Sequence, residues 1–481
     1  MYNNDFVYID QWCSHLRDHQ VKALEALKTT DIGQIIIPTG AGKTRIQITL
    51  HVQDMIDKSM GNKTGVYVIA AHRLLLCQQL VDEFIDLAVK CGLNFNVMFI
   101  GTLNYDIDAK FQDHMAKGWT GEYTKCDHTT RQADVDKMYW SSRVANRHLI
   151  IVSTYHSFSK LKVIPSIDIC TYDEAHTTTA EDFTREIKDA QEIYPVEDSK
   201  IVNEILIEEA LPEEEIRNNV LSVRNRILRN YFFTATRKAS AGSGMNDTEF
   251  YGEILYSVSP RAMIDAGEIV EPKLHMINTI EEAEEKYSNT AMMVKSVIQG
   301  FKEHSYLIKN GEHGFSYPSA APDKIEAKIL VCCNGTDECM SLHDDPVFRE
   351  FCDREEIQVF CLSSIKGYWH KFMPTRRSAL LKEMRSLKDT DRAILIHIRI
   401  LTEGIDLPSI TGVMPFKDLN PICLFQTLGR AARLLREDRD NLYSGNILPN
   451  EVSKFIKPYC WLILPLYYKH LIGYRAMISL L

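Results

Sequence analysis

The chain has 481 residues, 45% apolar and 25% charged. That is ordinary globular composition and too long for one hydrophobic core, so two domains with insertions are expected. A formal net charge of −10 excludes a stably basic nucleic-acid coat protein, but not one that grips a polyanion transiently through a local basic stripe.

In chain order, the opening residues MYNNDFVYID lack a charged segment followed by an apolar run, so no signal peptide is expected. Short apolar runs of β type alternate with helical periodicity. Strands are predicted at 34–37, 65–70, 148–152, 167–172, 231–234, 328–333, 358–362, 393–398, 412–414 and 461–464, with helices between them, as at 46–60. The alternation predicts an α/β protein with parallel sheets covered by helices on both faces. The strands fall into two groups, giving lobes at 1–265 and 266–481 with a hinge at 262–272, where Gly267 and Pro272 break regular structure. Three segments read as insertions: 102–146, polar and mixed; 184–226, acidic and helical, a solvated face; and 304–323, rich in Gly, Pro and Ser. The charged run 281–286 reads as a helix near the lobe boundary.

The 12 cysteines include no CxxC pair. Neither Cys332-Cys333 with Cys339 nor Cys126 with His128 has zinc spacing, so these are expected to be free thiols in a reducing, cytoplasmic compartment. The most apolar stretch, 461–468, contains Pro465 and is too short for a membrane span, so it reads as a buried strand.

Two motifs carry chemistry. Pro38-Thr39-Gly40-Ala41-Gly42-Lys43-Thr44 lies between an apolar strand and a helical pattern. Glycines there let backbone N–H groups approach phosphates, and the helix N-terminus favours the anion. Lys43 would reach the β- and γ-phosphates of ATP, and the Thr44 hydroxyl would ligate Mg²⁺. The strict GxxxxGK[ST] pattern wants Gly where Ile37 stands. Asp173-Glu174-Ala175-His176 ends a predicted strand, so its acids project at the carboxyl edge of the sheet, where ligands bind in open α/β folds. Asp173 would hold the metal, and Glu174 would orient or deprotonate the attacking water.

With these motifs and those that follow, the chain resembles a superfamily 2 helicase of DEAH type, in the branch containing restriction-enzyme motor subunits and phage DNA helicases. The resemblance implies two tandem RecA-like P-loop domains. Gln20, in Leu16-Arg17-Asp18-His19-Gln20, resembles the glutamine that reads adenine. Ala71 to Gln78 resembles motif Ia, assigning a track contact to Arg73, though Ala71 replaces the usual proline. Ser153 to Ser157 resembles the next backbone-contacting motif and assigns Thr154. Thr234-Ala235-Thr236 resembles motif III, so Thr234, Thr236 and His176 would couple ATP state to the track. In the second lobe, Leu330 to Thr336 sits where motif IV belongs. Thr402-Glu403-Gly404-Ile405-Asp406-Leu407-Pro408 resembles motif V, with Thr402 on the track and Gly404 and Asp406 at the nucleotide. Gln426-Thr427-Leu428-Gly429-Arg430-Ala431-Ala432-Arg433 resembles motif VI. Arg430 and Arg433, three apart on a helix, would share one face and reach the triphosphate as arginine fingers beside Gln426.

The resemblance favours DNA, single-stranded or duplex, over RNA. It leaves open an RNA helicase, and an ATPase switch or loading subunit that recruits a nuclease or other protein partner. No D…ExK nuclease motif is convincing in the chain. Tyr368 and Trp369 are weighed as base-stacking residues, with core packing the favoured reading.

Overall fold

The computed structural model describes residues 6–72, 74–101, 106–124, 128–176, 219–220, 222–235, 237, 244–278, 289–310, 324–363, 367–398, 409–416 and 421–466. The chain divides into two compact units, residues 1–37 with 42–258 and residues 38–41 with 259–481.

The first unit is built on β1 (Ile32–Ile36), β2 (Val66–Ala71), β3 (Phe95–Ile100), β4 (His148–Thr154), β5 (Ile167–Tyr172), β6 (Ile227–Thr234) and β7 (Ile254–Ser257). They form one sheet in the order β3-β4-β2-β5-β6-β1-β7, every pairing parallel. Every residue of β2, β3 and β4 is buried, as a sheet covered on both faces requires. Tyr172 stacks on Phe232 at 4.4 Å between ring centroids, fastening β5 to β6.

The second unit holds β8 (Glu271–Asn278), β9 (Lys328–Cys332), β10 (Gln358–Ser363), β11 (Gly367–His370), β12 (Met373–Thr375), β13 (Ala393–His397), β14 (Gly412–Pro415) and β15 (Tyr459–Leu466). Their order is β12-β11-β10-β13-β9-β14-β15-β8, parallel from β10 to β8, with β11 and β12 added antiparallel at one edge. The fold is therefore two largely parallel α/β sheets in tandem, and all ten predicted strands are present, the one at 167–172 with the ends expected and the others with one or both ends moved.

Four expectations are corrected. β3 was missed because Asn96 interrupts its apolar run; Asn96 is buried, its amide donating to Ser142 Oγ at 2.8 Å and accepting from Thr124 N at 2.6 Å. The polar segment 102–146 is not a mere insertion: its helices Ile107–Ala116 and Gln132–Val144 bury Phe111, Val135, Met138 and Tyr139. The 262–272 segment is not an irregular hinge. Gly267, at φ 67°, ends the helix Pro260–Asp265, with Gly267 N bonded to Ile264 O and Glu268 N to Met263 O. Pro272 lies inside β8, where it is tolerated because β8 is an edge strand. The fourth is the hairpin β11–β12, which no apolar alternation announced. It turns through Lys371 and Phe372 at positive φ, and the Phe372 ring packs 5.3 Å from His343. Trp369 is likewise seated against the core, 5.3 Å from His343. Most of 184–226, all of 281–286, residues 311–323 and Cys126 lie outside the described residues. Among the described residues, Cys332, Cys333 and Cys339 form no disulfide.

The stack of Phe232 on Tyr172 sits at the centre of the first sheet. Phe232→Ala is expected to cost roughly 3–5 kcal/mol through lost burial and a residual cavity, read by calorimetry as a lowered thermal midpoint.

Candidate nucleotide site

β5, β6 and β1 are neighbours, so the loops leaving their carboxyl ends emerge side by side. Ile37 N extends the β1–β6 ladder by bonding Thr234 O at 2.9 Å. The chain then turns through Gly40 and Gly42, at φ 86° and 85°, a region where a Cβ is penalised. Within the turn Ala41 N bonds Pro38 O at 3.2 Å. Gly42 is the N-cap of the helix Lys43–Met60, and no side chain caps it, which leaves the positive end of an 18-residue helix to an anion.

Lys43 is buried with its Nζ 3.5 Å from Glu174 Oε1 and 3.5 Å from Ile37 O. Both contacts are long, and among the described residues the ammonium has no tighter partner. Thr44 follows in the first turn of the helix. Asp173 continues β5, its N–H bonded to Ala70 O at 2.8 Å, and its Oδ1 accepts from Gln47 Nε2 at 2.7 Å. Tyr155 donates its hydroxyl to Asp173 O at 2.8 Å. Glu174 stands at φ 49°, a costly conformation for a side chain with a Cβ and one that clusters at functional sites. Its Oε2 is 3.4 Å from His176 Nδ1, which lies 3.0 Å from Thr234 Oγ1 at the end of β6. The structure thus brings Lys43, Asp173, Glu174, His176 and Thr234 together.

Burial pushes the Asp173 carboxyl up to about 7, and the neighbouring Glu174 adds to the rise, while Lys43 and Gln47 pull it down. A carboxylate so buried beside a like charge calls for a cation. With the Thr44 hydroxyl at the helix start, the oxygen donors suit a hard cation such as Mg²⁺.

Gln20 is held against the glycine loop. In the helix Asp18–Leu27 its Oε1 accepts from Arg17 N at 3.0 Å, and its Nε2 donates to Gly42 O at 3.3 Å, bracing the glycine loop from below. Sequence reasoning missed Gln47, Tyr155 and the pair Trp12–Arg45. Gln47 was findable, since it lies one turn after Lys43 on the same helix face. The Arg45 guanidinium lies 4.1 Å over the Trp12 ring, whose Nε1 donates to Thr49 Oγ1 at 2.9 Å; no local pattern signals that pairing.

Thr154 is buried and caps the 3₁₀ helix Tyr155–Val163, its Oγ1 accepting from Ser157 N at 3.3 Å. Arg73, Thr236, Thr402, Gly404 and Asp406 lie outside the described residues. In the second unit, Gln426 and Arg430 are buried on the helix Pro421–Ala431. The helix ends at Ala431, so Arg433 does not share a helix face with Arg430 as its spacing predicted; it lies two residues beyond the helix end.

Residues 14–197, which include Lys43, Asp173 and Glu174, match the family described as type III restriction enzyme, res subunit. No curated protein matches the sequence. Among solved structures, the ATP-dependent Type ISP restriction-modification enzyme LlaBIII bound to DNA aligns at TM-score 0.59 and 16% identity, over 94% of this chain and 27% of that one. The DUF1998 helicase MrfA bound to DNA aligns at 0.54 and 13%, over 98% and 53%. Mss116p bound to ssRNA and AMP-PNP aligns at 0.50 and 12%, over 99% and 75%. The shared fold is two RecA-like α/β domains in tandem. The chain spans about a quarter of LlaBIII and about half of MrfA. Two tandem RecA-like sheets are shared with all three. Among the described residues, no helix is long and apolar enough to cross a membrane.

The brace between Gln20 and the glycine loop can be tested directly. A Cβ on Gly42 would lie 2.4 Å from Gln20 Nε2. Gly42→Ala is expected to destabilise by roughly 1–3 kcal/mol through its positive φ and this clash. Adding Gln20→Ala should recover part of the loss, and a double-mutant cycle by thermal denaturation measures the coupling.

Proposed function

We propose that this chain hydrolyses ATP and uses the cycle to translocate along or remodel DNA. The observation that carries this reading is the meeting, at one edge of the first sheet, of an uncapped helix start, the Lys43–Glu174 pair and the buried Asp173. The loop amides and Lys43 would bind the β- and γ-phosphates, with Thr39, Gly40, Ala41 and Gly42 shaping the cradle. Gln20 would contact the adenine while bracing the loop. Thr44 and Asp173 would hold Mg²⁺, which supplies charge neutralisation on the phosphates. Gln47 keeps Asp173 in place for that task. Glu174 would accept a proton from the attacking water, and its strained backbone aims the carboxylate. His176 and Thr234 link that carboxylate to the end of β6, a route by which nucleotide state reaches Thr236 and the track contacts. From the second unit, Gln426, Arg430 and Arg433 would meet charge developing in the transition state, and Gly404 and Asp406 would complete the nucleotide contacts. Arg73, Thr154 and Thr402 are proposed for the track, Thr154 through the end of the helix that it caps.

DNA is favoured by the restriction-enzyme match over residues 14–197 and by the DNA-bound neighbours. The fold is also shared with an RNA-bound protein, so the ATPase rate is to be compared with single-stranded DNA, duplex DNA, forks and RNA side by side. Greatest stimulation by a DNA is expected; stimulation by RNA alone would move the chain to the RNA helicases. Absence of stimulation by any nucleic acid would favour a switch that recruits a nuclease or other partner.

Two substitutions test the chemistry. Lys43→Ala should abolish hydrolysis without a loss of fold seen by circular dichroism, and near-normal turnover would reject the phosphate assignment. Glu174→Gln should slow hydrolysis by roughly 10²–10⁴-fold, the range for a lost general base, yet still bind a fluorescent ATP analogue with Mg²⁺. Loss of nucleotide binding in that variant would mean that the roles of the two acids are misassigned.

A further inference from the structure

Lys457 is 1% exposed, and among the described residues it forms no ion pair. Its ammonium donates instead to two backbone carbonyls, Ala431 O at 2.7 Å and Ile410 O at 3.1 Å. Ala431 is the last residue of the helix Pro421–Ala431, so its carbonyl has no partner within the helix and lies at the negative end of the helix dipole, where a cation is favoured. The next carbonyl, Ala432 O, accepts from Val270 N at 2.8 Å. Ala431 and Ala432 are the two residues between Arg430 and Arg433, and each is therefore tied by its carbonyl. Ile410 stands two residues beyond the 402–408 motif. Its neighbours are held as well: Ser409 bonds Asp389, and Thr411 Oγ1 is bonded to Lys328 N at 2.9 Å and His304 Nε2 at 2.7 Å.

The turn that carries Lys457 is itself fixed. The buried Asp438 carboxylate accepts from Ile456 N at 2.7 Å and Lys457 N at 3.0 Å. Burial pushes the Lys457 ammonium down to about 8, against the opposing pull of Cys460, Asp438 and Asp389, while Arg433 lowers it further. An apolar side chain of similar length would pack here without that desolvation cost, so what the lysine adds is its donors.

We propose that Lys457 is a positioning residue for the arginine pair, fixing the backbone from which Arg430 and Arg433 extend and tying it to the exit of the 402–408 motif. The inference rests on the role given above to those arginines. A helix end released by Lys457 would leave the arginines present but misplaced, and small misplacements are costly in transition-state stabilisation.

The test compares full-length Lys457→Met, Lys457→Gln and Arg433→Ala for ATP turnover, with and without the nucleic acid that stimulates most. Lys457→Met is expected to lower stimulated kcat roughly tenfold to a hundredfold, the scale of a misplacement of about 1 Å, with KM for ATP changed less than about twofold. Lys457→Gln, which keeps a donor, should recover part of that loss. Stimulated kcat in Lys457→Met within about twofold of the parent, or a fall in thermal midpoint with turnover per folded molecule unchanged, would overturn the proposal. If Lys457→Met does not fold, Lys457→Gln decides: reduced kcat at unchanged KM supports it, and unchanged kcat overturns it. Normal stimulated turnover in Arg433→Ala would overturn the functional reading and this proposal with it. An impaired Arg433→Ala beside a normal Lys457→Met overturns only the role of Lys457.

Discussion

A carboxylate taken out of water must be compensated, and in the first unit that demand falls on Asp173. It is 3% exposed, sits beside a second acid, and receives one side-chain donor from Gln47. Lys43 lies within reach of that second acid at 3.5 Å. The remainder of the site follows from this unbalanced charge. The glycine loop must bring Lys43 to the acids, so Gly40 and Gly42 adopt conformations that other residues resist. Gln20 and Tyr155 hold the loop and the strand end from either side.

The second unit meets the mirror problem, with buried cations in place of a buried anion. Lys328 is fully buried on β9 and donates to Asp389 O at 2.6 Å, and Lys457 donates to two further carbonyls. Burial pushes both ammonium groups down to about 8. Backbone carbonyls carry only partial charge, so they stabilise an ammonium less than a carboxylate would. Their use here places each lysine as a cross-link between chain segments distant in sequence. Two of the segments joined, around 410 and 431, lie just after the 402–408 motif and within the 426–433 motif.

The match over residues 14–197 and the structural neighbours agree on the type of fold and differ in what they bind: DNA for LlaBIII and MrfA, RNA for Mss116p. That difference has a physical reason. In the proposed reading the glycine loop and the strand-end acids would serve ATP and be indifferent to the track. Discrimination between tracks lies in groove shape, stacking and the 2′-hydroxyl, which such a cradle does not contact.

The sequence alone was enough for the alternation of strands and helices, the glycine loop with Lys43 and Thr44, and the acids Asp173 and Glu174. Each is a short contiguous pattern whose chemistry is local: apolar runs that bury both faces, glycines at positive φ, acids after a strand. The sequence could not show that β5, β6 and β1 lie side by side, which is what places Lys43 against Glu174 and His176 against Thr234 across gaps of 131 and 58 residues. Nor could it show that the helix before Arg433 stops at Ala431, since Ala431-Ala432 favours continuation by propensity, whereas in the fold Ala432 O accepts from Val270 N. Asn96 hid β3 for the same reason: a polar residue in a strand is read as exposed until a distant Ser142 satisfies its amide. Only the folded chain brings Ile410 O and Ala431 O to the Lys457 ammonium. Pairings between distant segments are decided by the burial of whole strands and the satisfaction of backbone groups, and no local pattern encodes them.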